Sequence, residues 1–227
     1  MRTVLMSLAV LLAGCGQRVE PVKEAAPAAV AATPVREESR DDRPVIVAFG
    51  DSLSAGYGLE SGESYPDYLQ KALDEKGYRY RVVNQGVSGD TTSGGVERIA
   101  QALAEKPEIV ILELGGNDGL RGLPVALSRQ NLDRMISAFK AGGAKVVLAG
   151  ITLPPNYGPE YIREFEQMYP ALAAKHQAPR IRFLLDGVAT VGSLMQQDGI
   201  HPTAAGCKIV ADRNVLPVLA PLLRKRG

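Results

Sequence analysis

Val45-Ile46-Val47-Ala48-Phe49-Gly50-Asp51-Ser52-Leu53-Ser54 is the stretch that decides the fold. Five apolar residues run without a polar break and stop at Gly50. An unbroken run of this kind, β-branched at its start, reads as a strand covered on both faces, whereas a strand wet on one face would alternate. Four further runs repeat the pattern at residues 81–84, 109–114, 145–149 and 181–184. Helical stretches lie between them at 65–76, 96–105, 125–141 and 161–175, and a last helix is expected over 204–222 with a break at Pro217. Strands alternating with helices predict an α/β domain built on a parallel sheet. Such sheets take their ligands beyond the carboxyl ends of the strands, so the segments after each strand are where chemistry is to be sought.

Composition narrows the field. The chain has 227 residues, 45% hydrophobic and 22% charged, the profile of a soluble globular protein with one ordinary domain or at most two small ones. A formal net charge of +1 supplies no broad nucleic-acid surface, and no nucleic-acid partner is expected. Two cysteines, Cys15 and Cys207, exclude a disulfide framework and a four-cysteine zinc site. There are two histidines, His176 and His201, so any histidine base is one of them. Cys207 falls in the last helix and reads as a lone thiol packed in the core.

The N-terminus reads as an address. Arg2 precedes an apolar run over residues 4–13, too short to span a bilayer as a finished helix. The run ends in Leu12-Ala13-Gly14-Cys15, which resembles the lipobox of bacterial lipoproteins, whose cysteine is lipidated and becomes the first mature residue. Residues 1–14 are then a lipoprotein signal peptide. Residues 15–44, rich in Ala, Pro and alternating charge, form the lipidated cysteine and a flexible tether, and 45–227 form the folded domain. The expected location is the bacterial cell envelope, with the protein lipid-anchored to a membrane and facing the periplasm.

Four segments stand at or near the expected positions: Gly50-Asp51-Ser52-Leu53-Ser54, Gly86-Val87-Ser88-Gly89-Asp90-Thr91, Gly115-Gly116-Asn117-Asp118-Gly119, and Asp198-Gly199-Ile200-His201-Pro202. A serine hydroxyl is a weak nucleophile until a base takes its proton, and a histidine base needs an acid to hold its tautomer. Asp198 and His201 are three apart, close enough for the carboxylate to meet the ring Nδ1. His176 ends a helical stretch with no carboxylate three or four residues before it, and reads as a solvated helix terminus. An oxyanion needs donors, and the Ser52 and Gly89 N–H groups and the Asn117 amide can serve. Each segment alone fits a turn, a cap or a structural hydrogen bond. Together they fill every role of acyl transfer once. Asp51 and Asp118 read as loop braces bonded to backbone N–H groups.

These segments resemble, block by block, the GDSL or SGNH hydrolases: residues 47–58 the first block, 88–91 the second, 113–122 the third and 198–203 the fifth. The flanks are most similar to a subgroup of bacterial arylesterases, acyl-CoA thioesterases and lysophospholipases. The resemblance implies a flavodoxin-like three-layer α/β/α sandwich with a five-stranded parallel sheet, and no metal or other cofactor. It implies a catalytic Ser52, Asp198 and His201, with Ser52, Gly89 and Asn117 as the oxyanion hole. The substrates implied are carboxylic esters and thioesters: aryl esters, short-to-medium acyl esters and lysophospholipids. A carbohydrate or cell-wall O-acetylesterase and a non-catalytic lipid-binding lipoprotein are the alternatives. The acyl pocket is expected from residues 119–125 and 154–161, with Arg121 either meeting an anionic head group or facing water.

Overall fold

The computed structural model describes residues 41–225. The signal peptide, Cys15 and the tether as far as residue 40 lie outside the described residues.

Five strands form the sheet: β1 (Val45–Gly50), β2 (Arg81–Gly86), β3 (Ile109–Glu113), β4 (Lys145–Ala149) and β5 (Arg180–Ile181). Their order is β2-β1-β3-β4-β5, and every pairing is parallel. That is the doubly wound, flavodoxin-like order expected. Side chains alternate across a strand, so an unbroken apolar run feeds two cores. Ile46, Ala48, Ile109, Ile111 and Val147 face one way, onto α2 (Tyr65–Glu75) and the C-terminal helices. Val47, Phe49, Val110, Leu112 and Leu148 face the other, onto α6 (Val125–Ala141) and α7 (Pro159–His176). The result is a three-layer sandwich. Each fully buried Leu, Ile or Phe adds roughly 1.5–3 kcal/mol. The edge strand β2 is only half-buried, which accommodates Arg81, Asn84 and Gln85.

Helix α6 matches its expected span, and three other expectations are corrected. The run over 181–184 pairs only at Arg180–Ile181, because the chain bends round Gly150 and Leu184 N donates to the Gly150 carbonyl at 2.9 Å. The helix expected over 96–105 is two: α3 (Thr92–Glu97), preceded by α1 (Ser52–Ala55) and α2 in chain order, and α4 (Ile99–Ala104), broken at Arg98. Helix α3 starts early because Thr91 caps it, its Oγ1 accepting from Gly94 N at 3.4 Å; Gly95 lets the helix pack closely, since a Cβ there would meet Leu114 and, at 2.9 Å, the Met135 sulfur. The last helix opens into a π-helical turn at Val210–Val215, between α8 (Ala204–Ile209) and α9 (Leu216–Leu219). The disruption falls upstream of Pro217, which lacks an N–H and whose ring crowds the carbonyl four residues back. One more short helix, α5 (Gly116–Leu120), follows β3. Cys207 is fully buried, and burial pushes its thiol up to about 12.

Candidate active site

Ser52 is the first residue of α1, directly beyond the carboxyl end of β1. Asp51 caps that helix, its Oδ1 accepting from Leu53 N at 3.0 Å. The cap turns the chain sharply off the strand and leaves Ser52 half-exposed at the sheet's edge. His201 stands opposite, with its Nε2 2.8 Å from Ser52 Oγ and its Nδ1 2.7 Å from Asp198 Oδ2. Asp198 Oδ1 also accepts from the backbone N–H groups of Ile200 (2.9 Å) and His201 (3.0 Å). Partial burial pushes the Asp198 carboxyl up, but the bonds from His201 and Ile200 outweigh it and hold the group at about 2. The Tyr57 ring lies 4.6 Å from the His201 ring, centroid to centroid, and is itself exposed.

The three oxyanion candidates line one cavity with His201. Gly89 has φ +81, a left-handed conformation that favours glycine. Asn117, on α5, donates its amide to the Asp90 carbonyl at 2.8 Å and to Asp51 Oδ2 at 3.2 Å. All five residues singled out in the sequence therefore meet at the carboxyl edge of the sheet. Asp118 braces the loops as expected: it is buried and accepts from Thr92 N at 2.9 Å, Thr92 Oγ1 at 2.5 Å and Ser128 Oγ at 3.0 Å. Asp51 does the same while burial pushes its carboxyl up to about 6.

Other features were not foreseen. Glu113, at the end of β3, is fully buried and accepts from Ser54 Oγ (2.8 Å) and Asp51 N (3.2 Å), while its Oε1 has no partner. Burial first, then the neighbouring Asp51 carboxyl, pushes Glu113 well above the usual carboxylate range. Arg121 is exposed to water, one of its two expected roles, and its Nη2 also donates to the Gly89 carbonyl at 2.9 Å, a contact the sequence does not signal. The cavity, about 550 Å³, draws on Leu120 and Pro155 as expected, but also on Ile151, Phe183 and Met195, which fall outside the expected loops. Phe183 and Leu184 do not extend β5: both line this cavity, Leu184 as a fully buried core residue and Phe183 packed, partly buried, against the same core. No local spacing signals these contacts; they arise where loops from different strands meet.

His176 is the clearest correction. Its ring is not solvated but 12% exposed, and Nε2 lies 2.5 Å from Asp133 Oδ1 on α6. The partner is 43 residues away, so no helical spacing could show it. His176 does not line the Ser52 cavity. Among the described residues no group of three or more His, Cys, Asp and Glu side chains could hold a metal ion.

Comparison with known proteins bears on this geometry. The model of the GDSL-like Lipase/Acylhydrolase family matches residues 48–209. The esterase TesA of Pseudomonas aeruginosa is 49% identical over 179 residues, 78% of this chain and 89% of the relative. A solved crystal structure of TesA superposes with a TM-score of 0.76, covering 79% of this chain and 99% of the other. An arylesterase of Vibrio mimicus is 44% identical, covering 69% of this chain and 79% of its own. The thioesterase 1/protease 1/lysophospholipase L1 of Escherichia coli is 38% identical, covering 74% and 79%.

Proposed function

Since this chain belongs to the GDSL-like lipase/acylhydrolase family and is a serine esterase, a carboxylic ester hydrolase, we propose that Ser52, His201 and Asp198 carry its chemistry. The observation that supports this is the continuous hydrogen-bonded chain from Ser52 Oγ to Asp198, 2.8 and 2.7 Å, at the wall of an apolar cavity. His201 takes the Ser52 proton as Oγ attacks the ester carbonyl, and Asp198 stabilises the imidazolium. The oxyanion is received by the N–H groups of Ser52 and Gly89 and by the Asn117 amide. The Asn117 bond to Asp90 orients that amide, and the longer contact to Asp51 is the one exchanged for the oxyanion. His201 returns its proton to the leaving alcohol or thiol. Water, activated by the same histidine, then releases the acid from the Ser52 acyl-enzyme.

The cavity supports an apolar acyl or aryl group. Its volume of about 550 Å³ and its walls of Leu120, Ile151, Leu153, Phe183 and Met195 suit aryl esters, medium-chain esters and lysophospholipids. It gives no support to an O-acetylesterase, whose pocket would close after two carbons. The names arylesterase and lysophospholipase among the relatives agree with that choice, and thioesters belong with it. Hydrolysis of p-nitrophenyl esters and acyl thioesters of increasing chain length tests the reading. Activity should extend to medium chains, and a preference confined to acetyl would overturn it. A fluorophosphonate should form one adduct, on Ser52; its absence under native conditions would favour the lipid-binding alternative.

We further propose that residues 1–14 are removed, that Cys15 is lipidated, and that the domain is tethered in the cell envelope on the periplasmic side. The lipobox-like Leu12-Ala13-Gly14-Cys15 supports this. A Cys15→Ser protein should leave the membrane fraction, and its continued partitioning with membranes would count against the anchor.

A further inference from the structure

Two of the three oxyanion donors come from different loops, Gly89 after β2 and Asn117 after β3. Neither loop is long, yet donors must be held within a few tenths of an ångström for an oxyanion hole to act. Something must register the two loops against each other and against Ser52. We propose that the Asp90–Arg98 ion pair is that positioning device, tying the oxyanion donors to the strand that carries the nucleophile. The inference rests on the esterase reading above.

The contacts run in one line. Arg98 Nε and Nη2 both donate to Asp90 Oδ2, at 2.9 and 2.6 Å. The same guanidinium donates through Nη1 to the Gln85 carbonyl of β2 at 3.1 Å and through Nη2 to the Gly50 carbonyl of β1 at 3.3 Å. It also lies over the Phe49 ring, 4.4 Å from the centroid. Arg98 is therefore fixed to the ends of two neighbouring strands, one of them leading directly into Asp51 and Ser52. Asp90 transmits that position in two ways. Its chain neighbour is Gly89, and its own carbonyl accepts the Asn117 amide at 2.8 Å. Its other carboxylate oxygen accepts from Thr91 N at 3.0 Å, which fixes the loop's own turn.

The chemistry of the pair suits the task. The two side chains are only 17% and 11% exposed, so their attraction is weakly screened and the geometry is stiff. Only a guanidinium offers enough donors, in a rigid fork, to reach one carboxylate and two carbonyls together. A lysine keeps the charge but cannot span all three acceptors. Nothing in the pair faces the substrate, so its effect on rate must pass through Gly89 and Asn117.

Steady-state hydrolysis of a p-nitrophenyl ester by Arg98→Lys, Asp90→Asn, Asn117→Ala and the double variants tests this. Each single change in the pair should lower kcat roughly 10- to 100-fold, as for a displaced oxyanion donor, with KM within about twofold of the original. Added to Asn117→Ala, the change at Arg98 should cost clearly less than it does alone, because one of the two donors it positions is already gone and only Gly89 is left to displace. Two results would overturn the proposal: kcat within twofold of the original in both single variants, or the full multiplied loss in the double variant. Fluorophosphonate titration at end point counts competent sites, so kcat is taken per folded molecule. If Arg98→Lys does not fold, Asp90→Asn, which keeps the residue's shape and its carbonyl, decides the matter. A lowered Tm with kcat per site intact assigns the pair to stability alone and also overturns it. Failure of the esterase reading would show separately, as Ser52→Ala retaining full activity.

Discussion

The protein holds two histidine–carboxylate pairs alike in distance and burial, His201 pairing through Nδ1 and His176 through Nε2. His201 meets Asp198 at 2.7 Å and His176 meets Asp133 at 2.5 Å, with rings 14% and 12% exposed. What separates them is the other face of the ring. His201 turns its second nitrogen to Ser52 Oγ, at the wall of the apolar cavity. His176 ends α7, where a cation is favoured by the helix dipole, and shares Asp133 with Lys175 at 2.7 Å. Lys140 of α6 donates to the His176 carbonyl at 2.6 Å, so the cluster fastens α6 to the end of α7. A histidine beside a carboxylate is thus no signature of catalysis. It becomes one when a nucleophile and a substrate cavity complete it.

The sharpest way to break the comparison is to exchange the two pairs' fates by mutation. Ser52→Ala and His201→Gln should each lower kcat by on the order of 10⁴ to 10⁶ in ester hydrolysis. His176→Gln should leave kcat within about twofold and lower the unfolding free energy by about 1–2 kcal/mol, measured by chemical denaturation. A His176 variant with a crippled kcat would erase the distinction between the two pairs. Next in size is Asn117→Ala, expected to cost roughly 10² to 10³ in kcat with little change in KM. Smaller again is Arg121→Ala. It removes a single exposed bond to the Gly89 carbonyl, and kcat should fall by about threefold, a loss of under 1 kcal/mol.

The two pairs also differ in how far the sequence alone discloses them. Asp198 and His201 are three residues apart before a proline, so their meeting is a local event. Ser52, Gly89 and Asn117 likewise sit in short turns at strand ends, where topology alone brings them to one edge. Strands β1, β3 and β4 are legible because central strands have no wet face. His176 and Asp133 are joined only by the packing of α6 on α7, and no period relates them. The same holds for Arg98 with Gly50, Arg121 with Gly89, and Tyr57 with His201. Apolar patterning fails where one residue type serves two ends. Phe183 and Leu184 continue a strand-like run but line the cavity, and a polar cap, Thr91, starts α3 at Thr92, four residues before the helical stretch at 96–105 begins.

The smallest effect expected is also the one that separates the pairs by pH. Lys175 first, and then His176, hold the Asp133 carboxyl below the usual carboxylate range. A carboxyl depressed in the folded state contributes stability above its unfolded value, near pH 4, and loses that contribution as pH falls through the lower folded value. Asp133→Asn should therefore lower the unfolding free energy at pH 7 by up to about 1 kcal/mol, the usual ceiling for a partly exposed pair. The deficit should shrink as the pH is taken from 4 downward, where the original protein loses the same interaction. Denaturant titration of both proteins at pH 7 and pH 3 reads the difference. Activity at pH 7 should not change, because Asp133 lies away from the cavity. Asp198→Asn must behave otherwise, since its partner's second nitrogen faces Ser52, and kcat should fall steeply at pH 7. If Asp133→Asn lowered kcat as well, the cluster that fastens α6 to α7 would be part of the active site rather than a contrast to it.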